Sequence, residues 1–298
     1  RRPQHGGRVR RFQAPARGDS WQREGPGTRA GQLPTLQSWT QTPSDRIRSF
    51  RRRGALTADR MDPCLDPDHR LERLCVRPDN RVISLRIPQL RSRVYLRPKT
   101  TDAHAFWQVF VGGDYDFPVN KHPGFIVDAG AHIGLATLYF LHRFPQACIL
   151  AVEPEPSNAD VFVKNTSAYH NVNLHRAALW SEHKLLNIEN PDADSWSFRV
   201  QETGNRSGGV NAITIADILD KNSFIDILKL DIEGAEMELF SGDNTWLKQV
   251  GLVILEFHEH YSPGSTEMIK SVMKDYGFRK VLEQGENVIF EASQSSAT

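Results

Sequence analysis

The chain of 298 residues is 39% apolar with a formal net charge of +1, enough apolar material for a packed core in one large or two small domains. It contains no run near the roughly 18 to 20 apolar residues of a membrane span and no signal-peptide pattern. Its three cysteines (Cys64, Cys75 and Cys148) form no CxxC pair, which excludes a readable disulfide framework or zinc site, and the expectation is a soluble, cytoplasmic protein with no membrane partner.

Charge is unevenly placed. Residues 1–60 hold 14 Arg, no Lys and 4 acidic residues, net +10, whereas the remaining 238 residues hold 23 basic and 32 acidic side chains, net −9. The first segment is rich in Arg, Gly, Pro, Ser, Thr and Gln without apolar periodicity, so it buries too little surface to offset ordering entropy, and disorder is expected there. A nucleic-acid arm, an organelle transit peptide and sequence translated upstream of a start at Met61 compete for it. The last is favoured, because Met61 is the first methionine and stands just before patterned sequence.

Residues 61–120 form a lead-in. "RVISLRI" and "RVYLRP" alternate as half-exposed strands, and "TDAHAFWQVFVGG" spaces Ala105, Phe106, Val109 and Phe110 as an amphipathic helix behind a Thr/Asp cap. The main fold spans 121–292, followed by a disordered tail at 293–298. "GFIVDAGAHIG" predicts a buried strand and glycine turn, then a helix over about 133–144 ended by Pro145. "CILAVEPEP" is a second strand, 156–169 a helix capped by Ser157 or Asn158, and "NVNLHRAAL" a third strand. Residues 184–200 read as an inserted hairpin and 203–211 as a loop. Then "ITIADIL" is a short helix, "IDILKLDI" a strand, "AEMELFSG" a helix, "VGLVILEF" a strand and 264–276 a helix. "FRKVLE" and "NVIFEA" are separated by a link too short for a crossover, so they form an antiparallel hairpin. Seven sheet strands in this alternation predict an α/β fold with a mainly parallel sheet, helices on both faces and a final antiparallel strand. Ligands of such sheets bind beyond the carboxyl ends of the strands.

The first of those ends carries Asp128 where a dinucleotide-binding turn has its first glycine. A carboxylate there repels a diphosphate but pairs with an ammonium group, such as the one on the methionine half of S-adenosyl-L-methionine. Gly130 and Gly134 allow close backbone approach and helix packing. Glu153 ends the second strand, 23 residues after Gly130, where it can accept the hydroxyls of an adenosine ribose. It therefore supports an adenosine ligand without choosing between cofactors. Pro154 and Pro156 stiffen the turn after it. Ala177, Ala178 and Leu179 fit an adenine slot or ordinary core equally well.

The fourth strand ends in "LKLDIEGAE", with Lys229, Asp231 and Glu233 sharing one side by alternation. Lys229 is costly there unless Asp231 or Glu233 pairs with it, and Glu236 reads as a favourable charge at a helix start. The fifth strand brings Glu256 and His258 to the same region. His258 can be a general base, a metal ligand or an orienting group, and His260 is expected to be exposed.

"VDAGAHIG", "VEPEP", "LKLDIEGAE" with a following "GD", and "LEFHEH", in this order and spacing, resemble the FkbM-like family of S-adenosylmethionine-dependent methyltransferases, over about residues 80–292. The upstream "YLRPKTTD" and "FWQVFVGGDY" resemble the lead-in of many members. The resemblance implies a Rossmann-like class I methyltransferase, a three-layer sandwich, with S-adenosyl-L-methionine as cofactor. It implies methyl transfer usually to a hydroxyl oxygen of a sugar, a polysaccharide precursor or a natural product. Carried over, Asp128 and Gly130 contact the methionine part, Glu153 the ribose, and Asp231 with Glu233 the acceptor side. His132 departs from the small polar residue often found in that turn. The cofactor-binding candidates are thus Asp128, Gly130, His132, Gly134, Glu153, Pro154 and Ala178, and the catalytic candidates Asp231, His258, Glu233 and Lys229. The base is His258 or Asp231. A divalent metal on Asp231, Glu233 and His258 is the less favoured alternative. Arg97, Asp102 and Tyr115 are candidates for acceptor contact or for tying down the lead-in helix. The rivals are an NAD-dependent oxidoreductase and a catalytically silent cofactor-binding module. A nucleic-acid acceptor is disfavoured by the acidic folded part, which leaves a small-molecule or carbohydrate acceptor.

Overall fold

The lead-in opens with β1 (Ile83–Leu85) and β2 (Val94–Leu96), an antiparallel pair, followed by α1 (Asp102–Trp107). The amphipathic segment does not continue as one α-helix, because Gln108–Gly112 widens into a π-helical turn that ends at Gly113 in the left-handed region. The structure is a computed structural model that describes residues 82–188, 200–202 and 209–293. The expectations for residues 1–60, for the lead-in before 82, for the tip of the inserted hairpin, for most of the 203–211 loop and for the tail lie outside the described residues.

The alternation then runs β3 (Phe125–Ala129), α2 (Leu135–Arg143), β4 (Cys148–Val152), α3 (Pro156–Thr166) and β5 (Val172–His175). Helix α2 stops at Arg143 because the residue before Pro145 is pushed out of the helical region, and Phe144 has φ −128° and ψ 71°. The α3 cap differs from expectation: it is Glu155, whose carboxylate accepts the amide of Asn158 at 2.6 Å, with Pro156 preset in the first turn.

The expected third strand is two strands of different sheets. After β5 the chain turns tightly, Ala177 N donating to His175 O, and β6 (Ala178–Leu179) leaves the main sheet. β6 pairs with β9 (Val210–Ile213), which in turn pairs with the hairpin of β7 (Leu185–Ile188) and β8 (Val200–Glu202), in the order β6-β9-β7-β8. The predicted hairpin thus exists, while Val210 and Asn211 belong to a strand rather than to a loop. α4 (Ile215–Leu219) follows a capping box of Thr214 and Asp217. β10 (Ile225–Leu230), α5 (Glu236–Ser241), a 3-10 turn at Thr245–Gln249, β11 (Val250–Glu256), α6 (Ser265–Asp275), β12 (Phe278–Gln284) and β13 (Asn287–Ala292) complete the chain.

The main sheet has seven strands in the order β12-β13-β11-β10-β3-β4-β5, parallel from β11 to β5, with β13 antiparallel to both neighbours. Period-two alternation divides its central strands between two cores. Val127, Leu228, Val253 and Leu255 face α4, α5 and α6. Ile126, Ile227 and Ile254 face α2 and the lead-in, whose Leu90, Val94, Leu96 and Phe117 share that core. The lead-in is therefore packed on the sheet. Among the described residues no helix is long and apolar enough to cross a membrane.

Candidate active site

β3 and β10 are neighbours in the sheet, but the chain leaves them toward opposite edges, to β4 and to β11. That switch point opens a crevice beyond the carboxyl ends of the strands, and a cavity of about 310 Å³ lies there, within the range of small-molecule sites. It is lined by Gly130, Ala131 and His132 after β3, Glu153 and Pro154 after β4, Asp231, Ile232 and Glu233 after β10, and Glu256 and His258 from β11 and its end. Ala178 and Leu179 line it from β6, Tyr115 from the lead-in and Asn287 from β13.

Gly130 has φ +73°, and a β carbon on it would stand 1.6 Å from Asp231 O, so only glycine lets the two strand ends converge. Gly134 has φ +85° and a different role: it starts α2 against Phe162, 2.8 Å from where its β carbon would be, and is not among the cavity-lining residues. Two non-glycine residues of the rim, His132 (φ 48°) and Glu233 (φ 52°), also occupy the left-handed region, a strain that concentrates at functional sites.

On the β4 side, Glu153 accepts the His132 amide at 2.8 Å with Oε2, and the Glu155 amide at 2.9 Å and the Asn158 side-chain amide at 3.3 Å with Oε1. Burial pushes its carboxyl up to about 7, against the pull of those donors. One lone-pair direction of Oε2 remains for a ligand hydroxyl. The Arg97 guanidinium ties this wall to the lead-in. It grips Asp102 at 2.8 and 3.0 Å, and reaches Asn158 Oδ1 at 2.7 Å and His132 Nε2 at 3.2 Å. Burial pushes His132 down to about 4, and Asp102 is the first charge opposing it, so the ring is neutral and Nε2 accepts from Arg97. Asp102 is wholly buried and, like Arg97, does not line the cavity, whereas Tyr115 does. Asp102 and Arg97 therefore tie the lead-in to the wall of His132 and Asn158.

Lys229 lines the cavity and belongs to a buried charge group. Asp128 is 0% exposed, is not among the lining residues, accepts the Thr137 hydroxyl at 2.6 Å and faces Lys229 Nζ at 3.4 Å. Lys229 is 2% exposed and stands opposite Asp128 in the β3–β10 register. Its ammonium also donates to Gly130 O at 2.7 Å and pairs with Asp231 Oδ2 at 3.1 Å. Burial alone would lower Lys229, but Asp231, Tyr115 and Asp128 outweigh it and hold the ammonium charged. Asp231 is its partner; Glu233 is not.

Glu233 instead turns toward His258. His258 Nε2 lies 3.5 Å from Glu233, 3.6 Å from Glu256 and 3.8 Å from Asp231, while Nδ1 is 2.9 Å from Glu236. Burial would lower this imidazole, but the hydrogen bonds and charges of Glu236, Glu256 and Asp231 overcome it and raise the ring to about 11. Burial first, then Asp231, pushes Glu233 up to about 8 and Glu256 up to about 7. His260 is exposed, as expected, at the cavity edge. Glu236 is more than a helix-start charge, since it is buried, accepts the amides of Ile232 and Gly234 and orients His258. Its three-residue spacing from Glu233 was the available signal. Asn287 was missed because nothing local to the last strand marks it.

The residues present fit an adenosyl ligand with an amino-acid end. Glu153, a carboxylate with a spare acceptor, the Gly130 turn, and the small side chain of Ala178 with Leu179 all line the one cavity. Ligand atoms of Asp231, Glu256 and His258 lie within 4.8 Å of one another, a set that could also hold a metal ion.

Sheet order, switch-point cavity and acidic strand ends define a Rossmann-like class I methyltransferase. The family model described as the methyltransferase FkbM domain matches residues 128–280, half of the chain, and the chain belongs to that family. It is 27% identical over 206 residues to Methyltransferase 1 of Beauveria bassiana (strain ARSEF 2860), covering 59% of this chain and 81% of that protein. It is 29% identical over 225 residues to methyltransferase sdnD of Sordaria araneosa, covering 63% and 86%. A solved FkbM methyltransferase of Methylobacillus flagellatus KT aligns with 14% identity and a TM-score of 0.42 over 59% of this chain, which spans less than half of that protein at 45%.

Proposed function

We propose that this methyltransferase uses S-adenosyl-L-methionine to methylate a hydroxyl oxygen of a small acceptor, a sugar, a glycan precursor or a natural product. The observation that carries the proposal is one cavity with Glu153 on one wall and the Asp231, Glu233, Glu256 and His258 group on the other. Bound there, S-adenosyl-L-methionine supplies an electrophilic methyl group on a sulfonium centre. Glu153 holds the ribose, and the methionine end lies along the Gly130–His132 turn, whose amides are already given to Val152 O and Glu153. Asp231 and Glu233 face the acceptor side, where a carboxylate takes the hydroxyl proton as the oxygen–methyl bond forms. Without a cation His258 stands among four acids that keep its proton, so a carboxylate and not the imidazole is the base. The sheet contributes chiefly by alignment, since an in-line displacement is fast only when oxygen, carbon and sulfur are held together.

A thermal-shift titration of the full chain with S-adenosyl-L-methionine, S-adenosylhomocysteine and NAD⁺ tests the proposal. A ligand at about 100 times its Kd adds roughly 2.7 kcal/mol, which raises the midpoint by roughly 5 to 10 °C for a domain of this size. A rise with the sulfur ligands that Glu153→Ala removes supports the assignment. A rise with NAD⁺ alone, or with none of the three, overturns it.

A further inference from the structure

His258 leaves the end of β11 with Nδ1 committed and Nε2 facing the cavity acids. Nδ1 is held at 2.9 Å by Glu236, a carboxylate 2% exposed and itself fixed by the amides of Ile232 and Gly234. An imidazole gripped through one nitrogen presents the other in a single direction, and this outer carboxylate is the usual companion of a metal-bound histidine. Nε2 points at three carboxylate oxygens at 3.5, 3.6 and 3.8 Å, each farther than a well-formed hydrogen bond of ~2.9 Å. Donors ~2.1 Å from one metal ion stand about 3 to 3.5 Å apart. Nε2 of His258, 7% exposed, stands just beyond that spacing from Glu256, at 3.6 Å, and from Asp231, at 3.8 Å, so a small inward shift of the two carboxylates makes all three ligands of one cation.

The arrangement of acidic groups points the same way. Lys229 Nζ is spent on Gly130 O, Asp128 and one oxygen of Asp231. The other oxygen of Asp231 joins Glu233, Glu236 and Glu256 around a single imidazole. An independent observation lies across the β11–β13 pair. Asn287 stands directly opposite Glu256, is 3% exposed, lines the same cavity, and its Oδ1 has no hydrogen-bond partner. A buried amide oxygen without a donor is costly, and a water on a cation beside Glu256 is the donor it lacks.

We infer that Asp231, Glu256 and His258 bind a divalent cation, with Glu236 positioning His258 and Asn287 receiving a cation-bound water. The cation takes the place of the Nε2 proton. Two carboxylates and one imidazole suit Mn²⁺ or Mg²⁺, whose preferred ligands are oxygen, over a thiophilic ion. Its place in acceptor binding rests on the methyl-transfer reading of the cavity, while its binding does not.

Titrating the full chain with Mn²⁺ and following free ion by electron paramagnetic resonance tests the site. One saturable Mn²⁺ per chain is expected. Glu256→Gln and His258→Ala should each lower affinity at least 100-fold, and Glu236→Gln about 10- to 100-fold, in proteins whose melting still rises with S-adenosylhomocysteine. No saturable binding by the unaltered chain, or binding unchanged in Glu256→Gln, overturns the inference. Mn²⁺ binding without any S-adenosylhomocysteine response would uphold the metal site and remove the methyl-transfer reading, and the converse result would do the opposite.

Discussion

Lys229→Met should destabilise the protein severely, and adding Asp128→Asn should recover much of the loss. Lys229 and Asp128 are 2% and 0% exposed, register-matched on adjacent strands and 3.4 Å apart, and Asp128 Oδ1 has no hydrogen-bond partner. Removing one member of a buried ion pair strands the other, at about 3 to 5 kcal/mol. For a domain of this size that lowers the melting midpoint by roughly 10 °C or more. In the double variant the stranded charge is gone. What remains is the donor lost from Gly130 O and from the half-buried Asp231 carboxylate, about 1 to 3 kcal/mol, so a double-mutant cycle should give a coupling of about 2 kcal/mol. Urea unfolding of the four proteins measures it. A mild Lys229→Met, or a double variant no better than the single, would refute the buried pair as described. The same proteins decide what Asp128 does. Restored stability with S-adenosylhomocysteine affinity intact makes Asp128 a structural support, and restored stability with affinity lost makes it a cofactor contact.

Glu153 has its carboxyl raised to about 7 by burial, so the fold favours the protonated form and loses stability as pH rises from about 4.5 to 7. The stability difference between the unaltered protein and Glu153→Gln should therefore change by roughly 3 kcal/mol across that window; a flat difference in pH-dependent urea unfolding would contradict the burial. Arg97→Lys should cost about 2 kcal/mol, because an ammonium cannot span Asp102, Asn158 and Ser157 as the guanidinium fork does; a melting midpoint within 1 °C of the parent, on the order of the assay's precision, would count against the network. Asp102 is held below its usual range by Arg97 despite burial, so its contribution is present above about 3.8 and is lost as pH falls through the folded value. Gly134→Ala should cost about 2 to 3 kcal/mol from left-handed strain and the displaced Phe162 ring, with S-adenosylhomocysteine affinity by calorimetry changed less than stability. Unaltered unfolding would show that the turn relaxes freely.

The amino-acid sequence by itself determined the alternation of strand and helix, the closing antiparallel pair and the four strand ends that line the cavity. Continuous apolar runs, glycine turns and prolines are local signals, and "LKLDIEGAE" and "LEFHEH" carry their acids within a few residues. Tertiary structure decided which of those groups meet. Asp128 and Lys229 are 101 residues apart and face each other only because β10 returns beside β3. Glu236 reads as a helix-start acid until β11 lays His258 against it. Arg97 joins the cavity wall of His132 and Asn158 only through packing of the lead-in on α3, and Asn287 gains meaning only as the cross-strand neighbour of Glu256. The break of "NVNLHRAAL" into two sheets was equally hidden, because period-two alternation is the same in either sheet and only the partner strand distinguishes them.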